Sequence, residues 1–94
     1  MQDYGLVSII TPNWNCANLI LETIRSVKAQ TYPNWEIIIV DDCSTDNSNK
    51  VVESYMAEDG RIRFLKNDKN FGAALSRNYA LREAKGRWIA FLDS

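Results

Sequence analysis

Ninety-four residues suffice for one compact domain at most, burying between about 60 and 70% of its unfolded surface. With 46% hydrophobic residues the chain is too apolar for disorder, and a net charge of −1 leaves no polybasic face for nucleic acid or an anionic membrane. Histidine is absent, and the two cysteines, Cys16 and Cys43, supply neither a disulfide framework nor a metal cage, so both read as reduced thiols. No run is long enough to span a bilayer, and the polar start Met1-Gln2-Asp3-Tyr4-Gly5 is unlike a signal peptide. A cytoplasmic protein is expected, with any anchor to the inner face of the membrane carried by a segment further downstream.

Along the chain, strand and helix alternate without a linker, a low-complexity tract or a repeat. Residues 6–11 (Leu-Val-Ser-Ile-Ile-Thr) read as a first strand, stopped by Pro12, which cannot donate to a ladder. Residues 18–30 form a helix with Ile20, Ile24 and Val27 as its apolar stripe and Glu22, Arg25 and Lys28 facing out. The turn Thr31-Tyr32-Pro33-Asn34 ends it. Residues 35–40 then carry the β-branched run Ile37-Ile38-Ile39-Val40, the signature of a strand buried on both faces. Two carboxylates, Asp41 and Asp42, arrive where that strand ends.

A second helix is predicted over residues 48–57, with Val51, Val52, Tyr55 and Met56 inward and Asp46 or Ser48 as its N-cap. Asp59-Gly60 makes the exit turn, residues 62–65 a short third strand, and residues 71–86 a third helix closed by Gly86 as C-cap. Residues 88–92 are the fourth strand, finishing on Asp93.

Strands alternating with helices of this length require right-handed crossovers and a mainly parallel sheet. The expected fold is α/β: a Rossmann-like three-layer half-domain of about four strands in the order 3-2-1-4, with helices on both faces. In that order the winding reverses beside the first strand, and a crevice opens at the carboxyl ends of the strands, where ligands bind in such sheets. Pro12, Asn13, Trp14, Asn15, Asp41, Asp42 and Asp93 converge there.

That edge has no Gly-x-Gly-x-x-Gly and no Walker lysine, which excludes the common dinucleotide and P-loop sites. It offers instead a fixed turn, two amides and an indole. A flat aromatic beside carboxylates suits a nucleobase, which needs stacking and an acceptor for its ring N–H, although Trp14 is equally a rim residue packing on the first helix. Asp41 and Asp42 are either a recognition pair or, more blandly, a helix cap and a solvated neighbour. Asp93, close to other acids, suits a hard divalent cation bridging a diphosphate, or else is a frayed strand end. Gly72 permits close backbone approach at a helix N-terminus that favours anions, and Arg77 either counters a phosphate or pairs with the acids.

Taken together, several segments strongly resemble family 2 glycosyltransferases of the GT-A fold. They are Val7-Ser8-Ile9-Ile10-Thr11-Pro12-Asn13-Trp14-Asn15, Ser26-Val27 with Gln30-Thr31-Tyr32, and Glu36 through Asp46. Asn70-Phe71-Gly72, Ser76-Arg77-Asn78, Ala84-Lys85-Gly86 and Phe91-Leu92-Asp93-Ser94 continue the match in order across almost the whole chain. The resemblance implies transfer of a sugar, with inversion, from a nucleotide-diphosphate donor to a glycan or lipid-linked acceptor. A uracil nucleotide is implied first, with guanine and thymine left open.

It further implies that Pro12–Trp14 line the base pocket, that Asp42 accepts a hydrogen bond from the base, and that Asp41 supports that edge. Asp93 would open the family's Asp-x-Asp motif, holding ribose and a Mg²⁺ or Mn²⁺ on the diphosphate. Residues 1–94 are then the nucleotide-sugar-binding part of a glycosyltransferase domain, ending inside that motif. The second acid, the acceptor site and the catalytic base would follow in a further segment, and this part alone would be inactive. Two departures stand out: Trp14 replaces the commoner tyrosine, and Tyr79 follows Arg77-Asn78 where glycine is frequent. A receiver-like phosphoacceptor domain and a non-catalytic interaction module are the alternatives; the first would need a lysine after a fifth strand.

Overall fold

The computed structural model describes residues 3–92. Its elements run β1 (Val7–Asn13), α1 (Ala17–Ala29), β2 (Trp35–Asp41), α2 (Ser48–Glu58), β3 (Ile62–Lys66), α3 (Ala73–Glu83) and β4 (Trp88–Phe91). All pairings are parallel, as the alternation of strand and helix requires, and the sheet order is the expected β3-β2-β1-β4.

The β-branched run of β2 is central because both its faces are covered. Ile37 and Ile39 pack with Ile20, Ile24 and Val27 of α1 and Val52 of α2. Ile38 and Val40 point the other way, onto Ile10 and Ala80 of α3. Successive side chains leave a strand on opposite faces, so one apolar run serves two cores and creates the three layers. The stripe of α1 is buried as its spacing demands. On α2 only Val52 is buried among the apolar side chains; Val51 and Tyr55 are half-buried, and Met56, expected inside, is 37% exposed.

Pro12 does not end the first strand. The carbonyl of Asn13 accepts the Asp42 N–H at 2.8 Å, toward β2, whereas the carbonyl of Ile10 accepts the Leu92 N–H at 3.0 Å, toward β4. By alternation the missing donor of Pro12 faces the β4 side, away from β2. Pairing with β2 continues unhindered to Asn13↔Asp41.

Gly86 is not a C-cap either. The third helix stops at Glu83, and Gly86 lies where the chain crosses β1: a Cβ there would sit 2.5 Å from Ser8 Oγ, 2.6 Å from Ser8 N and 2.9 Å from Leu6 O. The Gly86 N–H donates to Ser8 Oγ, and that hydroxyl donates to the buried Glu36 carboxylate at 2.6 Å. Glu36 also accepts the Lys85 N–H at 2.8 Å and Arg63 Nη1 at 3.1 Å. Burial pushes the Glu36 carboxyl up, but the donors from Ser8, Lys85 and Arg63 outweigh it and hold the group below the usual glutamate range. This network pins the α3–β4 connection against the amino end of the sheet. Among the described residues no helix is long and apolar enough to cross a membrane.

Candidate functional site

At the carboxyl edge, the alternation that divides the core also divides the double acid. Asp41 and Asp42 do not act side by side: each carboxylate serves a different face of the sheet, and both are buried. Asp41 turns toward its β1 neighbour, where Asn13 Nδ2 donates to Oδ1 at 3.1 Å. Ser44 adds its N–H to Oδ2 at 2.9 Å and its hydroxyl to Oδ1. These bonds close the chain into the turn that follows β2.

Asp42 turns toward α3. Its Oδ1 accepts Asn67 Nδ2 at 3.0 Å and the Phe71 N–H at 2.7 Å, and its Oδ2 accepts the Gly72 N–H at 2.8 Å. Burial raises the Asp42 carboxyl, while the donors from Asn67, Phe71 and Gly72 lower it further, leaving it below the ordinary aspartate range. The ionised carboxylate thus caps the N-terminus of α3 from the sheet, where no local side chain caps it. Gly72 is required by its backbone rather than by crowding: its φ is +88°, and a Cβ there would meet nothing within 4 Å.

Two loops at this edge are locked together. Asn15, at φ +49°, accepts the N–H groups of Thr45 at 2.7 Å and Asp46 at 3.2 Å through Oδ1, and donates its own N–H to Ser44 Oγ at 3.0 Å. Asp46 in turn accepts the first N–H of α1, from Ala17, at 3.1 Å, and that of α2, from Ser48, at 3.0 Å. One aspartate therefore caps two helices, although the position preceding α2 is Asn47. Cys43 also lies at positive φ, +64°, between the two residues whose bonds force the chain to reverse.

Between these loops and α3 opens a cavity of about 210 Å³, lined by Pro12, Asn13, Trp14, Cys16, Asp42, Ala73 and Arg77. Five of the residues expected at the site meet here. Trp14, 54% exposed, forms the outer wall instead of packing into the protein. Asn15 and Asp41 stand behind the wall, and Gly72 contributes its N–H to Asp42. Asn15 itself lines a different hollow, with Asp46. Asp93, expected as a metal ligand, lies outside the described residues.

Cys16, read only as a reduced thiol, and Ala73 also line the cavity, and nothing in their local pattern places them there. Asn67 was likewise unmarked; its role depends on Asp42, 25 positions earlier. Tyr79 packs with the α3-side core beside Ala80 and does not line the cavity. Among the described residues no group of three or more Asp, Glu, Cys or His is arranged to hold a metal ion, and the carboxylates of Asp41 and Asp42 are engaged by protein donors.

Residues 8–94 match the family described as glycosyl transferase family 2. The putative teichuronic acid biosynthesis glycosyltransferase TuaG of Bacillus subtilis is 49% identical over 89 residues, covering 95% of this chain and 35% of the relative. WfgD of Escherichia coli, a UDP-Glc:alpha-D-GlcNAc-diphosphoundecaprenol beta-1,3-glucosyltransferase, is 52% identical over 95 residues, covering 100% and 36%. The chain thus spans about a third of the length of these curated relatives. Among solved structures, the mannosyltransferase PcManGT from Pyrobaculum calidifontis, in complex with GDP-Man and Mn²⁺, superposes with a TM-score of 0.88 at 29% identity, over 95% of this chain and 27% of that one. TarS of S. aureus in complex with UDP-GlcNAc superposes at 0.86 and 33% identity, over 93% and 26%.

Proposed function

This chain belongs to glycosyl transferase family 2, with the sheet order and helices of the GT-A fold, and from that premise we propose that it is the nucleotide-sugar-binding part of an inverting glycosyltransferase. The observation that carries the proposal is the single cavity bringing Trp14, Asp42 and Arg77 together at the carboxyl edge. Its volume, about 210 Å³, falls below the range of about 300–1,000 Å³ usual for whole small-molecule sites. That size suits one heterocyclic ring, with the sugar and phosphates running out over the sheet edge.

In this reading the base stacks on the exposed indole of Trp14, between Pro12 and Asn13. Its ring N–H donates to the ionised carboxylate of Asp42, which the donors from Asn67, Phe71 and Gly72 hold in place. Asp41, through Asn13 and Ser44, and Asn15, through Thr45 and Asp46, tie the two loops to one another behind the pocket. Arg77, reaching the cavity from α3, faces the diphosphate, and the backbone at Gly72 leaves that side open. Asp93 begins the cation site, and a Mg²⁺ or Mn²⁺ bound there would offset the charge of the departing nucleoside diphosphate.

The donor is read as a UDP-sugar and the acceptor as a glycan or lipid-linked hydroxyl, in keeping with the donor and acceptor in the name of the Escherichia coli relative WfgD. The acceptor oxygen attacks the anomeric carbon as the bond to the diphosphate breaks, inverting that centre. The base for the acceptor proton is assigned to no residue of this chain. In the whole protein, work on a lipid-linked acceptor would place the domain at the inner face of the membrane.

Calorimetric titration of the folded chain with UDP and Mn²⁺ tests the pocket. Weak, saturable heat is expected; no heat at millimolar UDP, with the far-ultraviolet spectrum showing a folded protein, would remove the assignment.

A further inference from the structure

Resting on the nucleotide-site reading, the hydrogen-bond capacity of Asp42 says which bases fit. An ionised carboxylate offers about four lone-pair positions, two on each oxygen. The protein fills two on Oδ1, from Asn67 Nδ2 and the Phe71 N–H, and one on Oδ2, from the Gly72 N–H. One position is left, on Oδ2. Guanine presents two adjacent donors, N1–H and the 2-amino group, and pairs with a carboxylate by using both oxygens together. Uracil and thymine present one imide N–H between two carbonyls and need one position.

The donor that closes Oδ1 is itself held rigidly. The second Nδ2 hydrogen of Asn67 goes to Ser76 Oγ on α3 at 3.0 Å, and its main-chain N–H donates to the Asp41 carbonyl at 2.8 Å. Asn67 is therefore tied to the end of β2, to Asp42 and to α3, so making room for a second ligand donor would break two side-chain hydrogen bonds. Phe71 N–H, the other donor on Oδ1, is main chain and equally fixed.

We infer that Asn67 is a positioning residue for base selection: by saturating one oxygen of Asp42 it admits a base with a single ring N–H and disfavours guanine. A side chain that only capped α3 would affect all nucleotides alike. One that sets the acceptor pattern changes their ratio.

The test is equilibrium binding of UDP and GDP, each with Mn²⁺, to the 94-residue chain and its Asn67→Ala variant. The unmodified chain is expected to bind UDP at least about tenfold more tightly than GDP, because a good bidentate pair denied to the wrong base is worth about 1–3 kcal/mol of discrimination. In Asn67→Ala the UDP-to-GDP ratio is expected to fall about tenfold. The acid limb of UDP binding should also move to higher pH, since a donor that holds the Asp42 carboxyl down is gone. Should the variant fail to fold, UDP methylated at N3 decides on the unmodified chain: it is expected not to bind, and binding equal to that of UDP overturns the inference. GDP binding as tight as UDP, or an unchanged ratio in Asn67→Ala, overturns it and leaves the nucleotide site standing. If neither nucleotide binds the folded chain, the site itself is refuted, and the inference with it.

Discussion

The two faces of the sheet are held by different forces. On the α1/α2 face eight buried residues make a continuous apolar cluster, from Ile20, Ile24 and Val27 to Trp35 and Ile62. The α3 face has four, Ile10, Ile38, Val40 and Ala80, and depends instead on two buried carboxylates. Glu36 fastens the C-terminal side of α3 to the amino edge of the sheet, and Asp42 fastens its N-terminus to the carboxyl edge. Apolar burial is non-directional and tolerates small movements, whereas each carboxylate fixes a specific donor at a specific distance. The cavity opens on the α3 side, where position matters more than bulk.

Breaking each face in turn should therefore produce different signatures. The largest loss is expected from Ile24→Ala, which removes a fully packed side chain from the α1/α2 core and should cost about 3 kcal/mol in urea unfolding, with a cavity left behind. Next comes Gly86→Ala on the opposite face: a methyl group forced onto the β1 backbone at Ser8 should cost about 2–3 kcal/mol and loosen the α3–β4 connection, visible as faster amide exchange there.

Acid should weaken the α3 face through Glu36 and Asp42, and the turn between α2 and β3 as well. Hydrogen bonding from Arg61 holds Asp59 down to about 2, from an ordinary 3.8, at the turn between α2 and β3. A depressed folded pKa contributes stability that is complete above the unfolded value and is lost as pH falls through the folded one. Unfolding free energy should accordingly drop between pH 4 and pH 2. Asp59→Asn should remove about 1–2 kcal/mol of that dependence, after allowance for screening at the partly exposed Arg61.

Asp42→Asn keeps the shape but halves the acceptor oxygens, stranding a donor at α3; a loss of about 1–2 kcal/mol is expected, together with at least a tenfold loss of UDP affinity. Smallest in stability is Trp14→Ala, within about 0.5 kcal/mol because the indole is mostly exposed, yet UDP binding should weaken about tenfold through lost stacking. A Trp14 variant that melted early while binding UDP normally would return that residue to a packing role.

Much of the α1/α2 face was readable from residue spacing, since the stripe Ile20, Ile24, Val27 and the run of β2 are periodic and local. The bonds of the α3 face were not. Gly86 was read as a helix cap because its true neighbour, Ser8, lies 78 positions earlier, and Asn67 carried no local mark at all. Pro12 reads locally as a strand end, although its ring disables only the side away from β2, and pairing with β2 runs on to Asn13.

By itself the sequence determined the alternation of strands and helices, the parallel sheet that right-handed crossovers build from it, and the presence of acids, an indole and an arginine near the carboxyl edge. Those outcomes depend on periodicity and on chain connectivity, which act over a few residues. Only the tertiary structure decided that Asp41 and Asp42 part to opposite faces, one to close a turn and the other to hold a helix and face a cavity. Hydrogen-bond partners far apart in the chain are brought together by packing, and no local pattern records which donor will arrive.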